Sequence, residues 1–267
     1  MTGKAPSPVP PSSVPPATAP SPARRGRGLL LLVLACVAFA VLIGLGTWQL
    51  NRLAWKEALL ARVEARVHAA PQDVPPPARW PALTREEDEY RRVKVRGTFD
   101  HAKEALVYTV RGDDAAGPVK GQGFLVVTPL IRADGPPILI NRGFVPSDRR
   151  DPATRAGGEV KGEVEVVGLL RFPEEASWFV PANDPARGSF YRMEPAEIAA
   201  ARGISGAAPF LIDADATPVP GGLPIGGGTR IAFPNRHLEY ALTWYGLAAS
   251  LVGVGLAVFI SRRRRAS

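Results

Sequence analysis

The residues best suited to chemistry open an apolar segment near the C-terminus. His237 is followed by Tyr240 and Trp244 on the same face of a predicted helix, and apolar residues continue to Ile260. An imidazole nitrogen can bind a metal, and the aromatic rings beside it can stack on a flat molecule. Anchoring in a membrane needs none of these polar atoms, so their presence requires a second explanation.

A neutral imidazole at a membrane interface is a competent axial ligand for haem iron. From the residues alone a second interpretation stays open, in which His237 and Glu239 only flank the helix N-terminus among lipid headgroups. No second axial ligand is evident, because His68 would lie roughly 28 Å above the interface and His101 falls in a predicted β domain. Haem bound here would have one protein ligand and one exchangeable position, which suits transfer better than storage.

Other chemistries find little support in the sequence. The single cysteine, Cys36, lies in an apolar segment, and the three histidines do not form a spaced zinc cluster. No serine, histidine and aspartate set stands out, and the glycine-rich Gly221–Thr229 lacks the Gly-Lys-Ser/Thr of a phosphate loop. The acidic Glu86–Glu89 reads as a solvated turn. We therefore expect a protein that is not an enzyme.

Two long apolar runs predict transmembrane helices. Leu29–Leu50 and Tyr240–Ile260 contain no formal charge, and at 1.5 Å per residue each spans roughly the 30 Å hydrocarbon core of a bilayer. The first run continues without glycine or proline from Thr47 to Ala69, which predicts a juxtamembrane helix over residues 51–70. Residues 237–260 form the second predicted span.

The net charge of +8 is concentrated at the two ends of the chain. The eight cations that account for this excess are Lys4, Arg24, Arg25, Arg27 and Arg262–Arg265. This pattern predicts that the proline-rich, disordered tail 1–28 and the basic tail 261–267 both face the cytoplasm or an organelle matrix. Because residues 29–261 balance at zero, the charge gives no reason to expect nucleic acid as a partner.

Between the helices, residues 71–236 predict an extracytoplasmic domain rich in strands. The predicted strands are 93–99, 106–110, 123–131, 137–145, 160–172, 210–212 and 230–233, with one short helix from Pro195 to Gly203. The predicted class is an α+β membrane protein, in which two transmembrane helices flank a mostly antiparallel barrel- or sandwich-like domain.

Six ordered blocks resemble the surfeit-locus family of cytochrome c oxidase assembly factors. The resemblance runs from about Leu45 to Leu247. The blocks are Leu45–Gln49 with Arg52 and Trp55-Lys56; Tyr90–His101; Asn141–Pro146; Phe179–Asn183 with Pro185; Pro224–Gly227 with Thr229-Arg230; and Asn235-x-His-Leu-x-Tyr240 with Thr243–Gly246. The sequence departs from the family pattern near Ser189–Tyr191, where a tryptophan is expected before the tyrosine.

The resemblance implies a membrane-bound accessory protein that helps to build the haem a-containing catalytic subunit of a terminal oxidase. It implies haem a as a transient ligand of a histidine matching His237, and partners among haem a synthesis and assembly proteins. The expected location is a bacterial inner membrane, or the mitochondrial inner membrane if the source is eukaryotic. Asn141–Pro146 is a family signature, which we interpret as a turn with Arg142 facing the membrane or a partner.

Residues of the first helix complete the predicted haem site. Trp48 and Gln49 lie at the same outer interface as His237 and could form the opposite wall. The small-residue pairs Ala40-x-x-x-Gly44 and Gly246-x-x-x-Ser250 could let the two helices approach closely, although such spacing also arises by chance. Two alternatives remain: a scaffold that binds oxidase subunits without haem, and a membrane-tethered enzyme acting on lipid or an envelope polymer.

Overall fold

The computed structural model describes residues 22–112, 119–229 and 235–265. The chain divides into two compact units, Met1–Lys56 with Asn235–Ser267, and Glu57–Pro234. The predicted strand at 230–233 and residues 1–21 of the predicted tail lie outside the described residues.

Two long helices account for the apolar ends of the chain. Helix α1 runs from Pro22 to Val67 and helix α4 from His237 to Arg264. Within the described parts of the chain, these two are long and apolar enough to cross a membrane, judged by length and composition. Helix α1 begins ahead of the predicted start at Leu29. It continues unbroken through the predicted juxtamembrane segment and stops shortly before Pro71, which cannot extend it.

The second unit is built on a mixed sheet with two short helices. The strands are β1 (Gln72–Asp73), β2 (Arg92–Phe99), β3 (Ala105–Arg111), β4 (Gly121–Ile131), β5 (Ile138–Pro146), β6 (Glu163–Arg171) and β7 (Leu211–Ala214); the helices are α2 (Arg85–Asp88) and α3 (Pro195–Ala201). The predicted strands within the described residues are thus confirmed to within a few residues, and so is the predicted helix at Pro195.

The strands pair in the order β1-β2-β6-β7-β5-β4-β3. Antiparallel pairings predominate, while β1–β2 and β5–β7 are parallel. The last two residues of β2, Thr98 and Phe99, also pair with β4. These two pairs link β2, β6, β7, β5 and β4 into a closed circuit of hydrogen-bonded neighbours.

Strand β5 is the centre of the core, because its two faces bury different clusters. Ile138 and Ile140 pack with Phe210 and Ile212 on one side, whereas Leu139 packs on the other with Phe190 and Ile198 of α3. These side chains are completely or almost completely buried. A strand covered on both faces has consecutive apolar residues rather than an alternation, as Ile138, Leu139 and Ile140 show.

Two interpretations of polar segments prove wrong. Asn141–Pro146 is not a turn but the second half of β5, and Arg142 is only 4% exposed, so it does not face a membrane or partner. Within Glu86–Glu89, Asp88 and Glu89 are buried rather than solvated, because arginines neutralise them. Glu89 is paired with Arg85 and lies 3.5 Å from Arg171 of the distant strand β6.

Candidate functional site

Helices α1 and α4 meet where their side chains are smallest. Gly46 of α1 is buried, and so are Ala241 and Ala248 on one face of α4. The ring of Tyr245 lies directly over Gly46, so that a Cβ added to the glycine would be 2.7 Å from Tyr245 Cε1. Close approach of two apolar helices depends on such small residues.

This contact brings His237 against Gln49. The distance from His237 Nδ1 to Gln49 Oε1 is 2.7 Å, and both side chains are half-buried. His237 is the first residue of α4, and its backbone N–H donates to Asn235 Oδ1 at 3.3 Å. One further bond ties the helices together, between Thr47 Oγ1 and the hydroxyl of Tyr245 at 3.1 Å.

The tautomer of His237 follows from its partner. A carbonyl oxygen such as Gln49 Oε1 only accepts hydrogen bonds, so Nδ1 carries the proton and donates it. In a neutral ring the other nitrogen, Nε2, then holds a lone pair, and it makes no hydrogen bond to any residue in the described parts of the chain. The ring therefore offers a donor atom suited to a metal.

The other residues predicted for this site are less closely associated with His237. Trp48 is 53% exposed, Tyr240 is 52% exposed and Trp244 is half-buried. Across the described segments, no ring contact joins any of the three to the imidazole. The structure thus brings His237 and Gln49 together and leaves Trp48 of α1 and Tyr240 of α4 exposed.

The two predicted small-residue pairs do not mark the helix contact. Gly44 and Gly246 are exposed, and a Cβ at either would meet no atom within 4 Å. The contact instead uses Gly46, Thr47 and Tyr245, which the sequence analysis missed as a set. The sequence pattern that could have indicated this contact is Gly46-Thr47 near the end of the first predicted span, together with Tyr245 near the start of the second.

The β domain carries several buried charges that serve its own fold. Arg155 Nη1 lies 3.1 Å from Glu104 Oε2, with the arginine side chain 1% and the glutamate 6% exposed. Asp213 accepts hydrogen bonds from Asn141, Arg171 and Thr229, each at 2.8 Å. In both sets the buried carboxylate is paired with an arginine, which is how buried charges normally persist.

Two arginines show what burial does to titration in this domain. Burial lowers the pKa of Arg142, whose guanidinium stacks 4.8 Å from the Phe99 ring and donates to the carbonyl of Gly158. Burial also lowers the pKa of Arg171, but the carboxylates of Asp213 and Glu89 outweigh it, so that pKa is raised overall. Both side chains stay charged and hold strands together.

The described residues contain no group of three or more histidines, cysteines, aspartates or glutamates able to hold a metal ion. A metal bound at His237 would therefore have to bring most of its own donor atoms. A porphyrin supplies four nitrogens in one plane and leaves the axial position for an imidazole.

Comparisons with known proteins cover most of the chain. The sequence profile of the SURF1 family matches residues 36–249. Surfeit locus protein 1 of Mus musculus is 43% identical over 241 residues, covering 87% of this chain and 75% of that protein. The Homo sapiens protein of the same name is 43% identical over 232 residues, covering 83% and 73%. The SURF1-like protein of Monosiga brevicollis is 40% identical over 250 residues, covering 91% and 90%.

Proposed function

This chain belongs to the SURF1 family, and on that premise we propose that it is a membrane-bound assembly factor of cytochrome c oxidase that presents haem a to the catalytic subunit through His237. The catalytic subunit and the proteins that make and deliver haem a are its partners. The haem is cargo, held during assembly and then released.

Exposed apolar surface supports the membrane part of the proposal. The side chains from Leu29 to Leu34 are each at least half exposed, and so are most apolar residues between Val252 and Phe259. Contiguous apolar surface of this size is unfavourable in water and favourable in lipid. Basic residues lie at the N-terminal end of α1 and at the C-terminal end of α4. By the positive-inside rule, the two helices cross the membrane with both of these ends on the cytoplasmic or matrix side.

The observation that carries the haem proposal is the half-buried imidazole tied to a second apolar helix through one nitrogen only. Metal-binding histidines typically donate their other ring N–H to a carbonyl or carboxylate, which sets the orientation of the ring. His237 has this arrangement through its hydrogen bond to Gln49. Trp48 and Tyr240 add exposed aromatic rings at neighbouring positions, which can cover a flat macrocycle.

Haem would bring most of the donor atoms that its iron needs, and His237 would supply an imidazole to that iron. Gln49 would orient this imidazole through the hydrogen bond at Nδ1. Attachment through one side chain is compatible with later release of the haem.

A spectrum tests the proposal. The full-length protein is purified in detergent from cells that make haem a, and the bound haem is extracted and identified. We expect an absorbance band from haem a in the wild type and in His68→Ala, and its loss in His237→Ala. His68 is the matched control, because it is exposed, lies directly after the end of α1 and is paired with Glu64 of that helix.

The scaffold alternative gives a different result in the same experiment. A colourless wild-type protein that still co-purifies with the oxidase catalytic subunit would refute haem binding and leave an assembly scaffold. A band that survives His237→Ala would move the haem to another ligand.

A further inference from the structure

We infer that Gln49 is a positioning residue that acts through His237: its side-chain oxygen holds the imidazole in the Nδ1–H tautomer and so presents Nε2 to the metal. This inference deepens the proposed haem function and rests on it for the identity of the cargo. The prediction that Gln49 also forms a wall of the haem site stays a prediction.

The geometry of the bond supports this role. The 2.7 Å separation of His237 Nδ1 and Gln49 Oε1 is at the short end of the range for N–H···O hydrogen bonds. Free neutral imidazole has no fixed tautomer, so without a partner the proton can occupy Nε2 and block the donor atom. An acceptor placed at Nδ1 removes that alternative and also makes Nε2 more basic.

The position of Gln49 is itself fixed by the helix contact. Gly46 lies one turn before it on α1 and lets Tyr245 approach, and Thr47 is bonded to the hydroxyl of the same tyrosine. Helix α4 begins at His237, whose backbone N–H is held by Asn235. Each of the two bonded side chains thus projects from a helix whose local register is held by separate contacts.

The chemistry of the acceptor gives the role a graded signature. A carboxylate accepts a stronger hydrogen bond than an amide, so Gln49→Glu should keep the tautomer and strengthen the bond from imidazole to iron. Leucine has a similar size but no acceptor atom, so Gln49→Leu should lose the fixed tautomer and weaken the bond from imidazole to iron. A residue that served only to pack the helices would show the same result for both replacements.

The first measurement needs no haem. Full-length protein labelled with ¹⁵N-histidine is studied in lipid nanodiscs, and His237 is assigned by comparison with His237→Gln. The protonated and unprotonated nitrogens of a neutral imidazole have well-separated resonances. We expect the proton on Nδ1 in the wild type and in Gln49→Glu, and a mixed or Nε2-protonated ring in Gln49→Leu.

Two controls separate positioning from general loosening of the helices. Asn51→Leu removes an exposed amide two residues further along α1, and Thr243→Val removes the bond from an exposed side chain to the carbonyl of Glu239 within α4. Both should keep the wild-type tautomer. A wild-type ring with its proton on Nε2, or an unchanged tautomer in Gln49→Leu, overturns the inference.

The second measurement uses haem a added to the same variants. Changes in the partners of metal-binding histidines typically lower affinity by about 10- to 100-fold, which is the loss expected for Gln49→Leu, with Gln49→Glu at or above wild-type affinity. In Gln49→Glu a tenfold gain in preference for ferric over ferrous haem would lower the midpoint potential by about 59 mV. Equal affinity in all variants overturns the inference. If the tautomers behave as expected but no variant binds haem, the haem function fails and positioning by Gln49 stands.

Discussion

Replacing Gly46 with alanine should disturb the proposed haem site from a distance. The added Cβ would lie 2.7 Å from Cε1 and 2.8 Å from Cζ of Tyr245, whereas ordinary van der Waals contact begins at 3.4 Å. The shortfall is about 0.7 Å. Tyr245 cannot turn away freely, because its hydroxyl is bonded to Thr47.

If the helices separate by this amount, the bond from His237 to Gln49 lengthens from 2.7 Å to about 3.4 Å, beyond the usual limit of about 3.2 Å. Losing one hydrogen bond costs about 1 kcal/mol, which corresponds to roughly a fivefold change in an equilibrium constant. We therefore expect Gly46→Ala to raise the Kd for haem a at least fivefold. Overpacking should also lower thermal stability, by about 1–3 kcal/mol.

The assay is a haem a titration followed by absorbance, together with thermal unfolding of the full-length protein in detergent. Gly44→Ala is the matched control, since its Cβ would meet nothing within 4 Å. Tyr245→Ala supplies a double-mutant cycle, in which removal of the ring should abolish most of the cost of Gly46→Ala. Equal effects of the two alanine variants, or no coupling to Tyr245, would refute the steric argument.

Three further predictions concern the β domain, and thermal unfolding followed by near-ultraviolet circular dichroism tests all of them. Arg155→Met should destabilise by about 3–5 kcal/mol because Glu104 stays buried and charged, and adding Glu104→Gln should recover part of the loss. Gly143→Ala should destabilise far more than Gly121→Ala: both have positive φ, but only at Gly143 would a Cβ meet backbone, at 2.0 Å. Burial raises the pKa of the Tyr90 hydroxyl above its usual 10.0, so the protonated side chain contributes to stability below that pH and the contribution is lost as the pH rises further. Tyr90→Phe should therefore make the loss of stability at alkaline pH less steep.

The sequence predicted the described strands well because local pattern and final burial agree there. β2 alternates Val93 and Val95 with polar residues and buries both valines, and the first three residues of β5 are apolar because both faces of that strand are covered. These patterns depend on residues that are adjacent in the sequence and on the two-residue period of a strand.

Predictions failed where the deciding partner is distant in sequence. Asn141 and Gly143 suggested a turn by their chemistry, but Gly143 uses its positive φ of 117° inside a strand, where the segment at Ile225 pairs with the next residue. The prediction that Glu89 is solvated failed because its partner Arg171 lies on the distant strand β6 and cannot be identified from the residues around Glu89. The sequence predicts Gln49 and His237 at one interface, but these residues are 188 positions apart and their bond depends on the register between the two helices.

The hydrogen bonds that converge on Asp213 limit which substitutions this sequence can accept during evolution. One carboxylate satisfies donors from β5, from β6 and from Thr229, which precedes the first residue of α4 by eight positions. Loss of any donor leaves a buried charge less compensated, and loss of Asp213 removes the nearer of the two carboxylates beside Arg171. Among diverging descendants these four sites should therefore vary jointly or not at all, whereas exposed neighbours such as Glu165 should change independently.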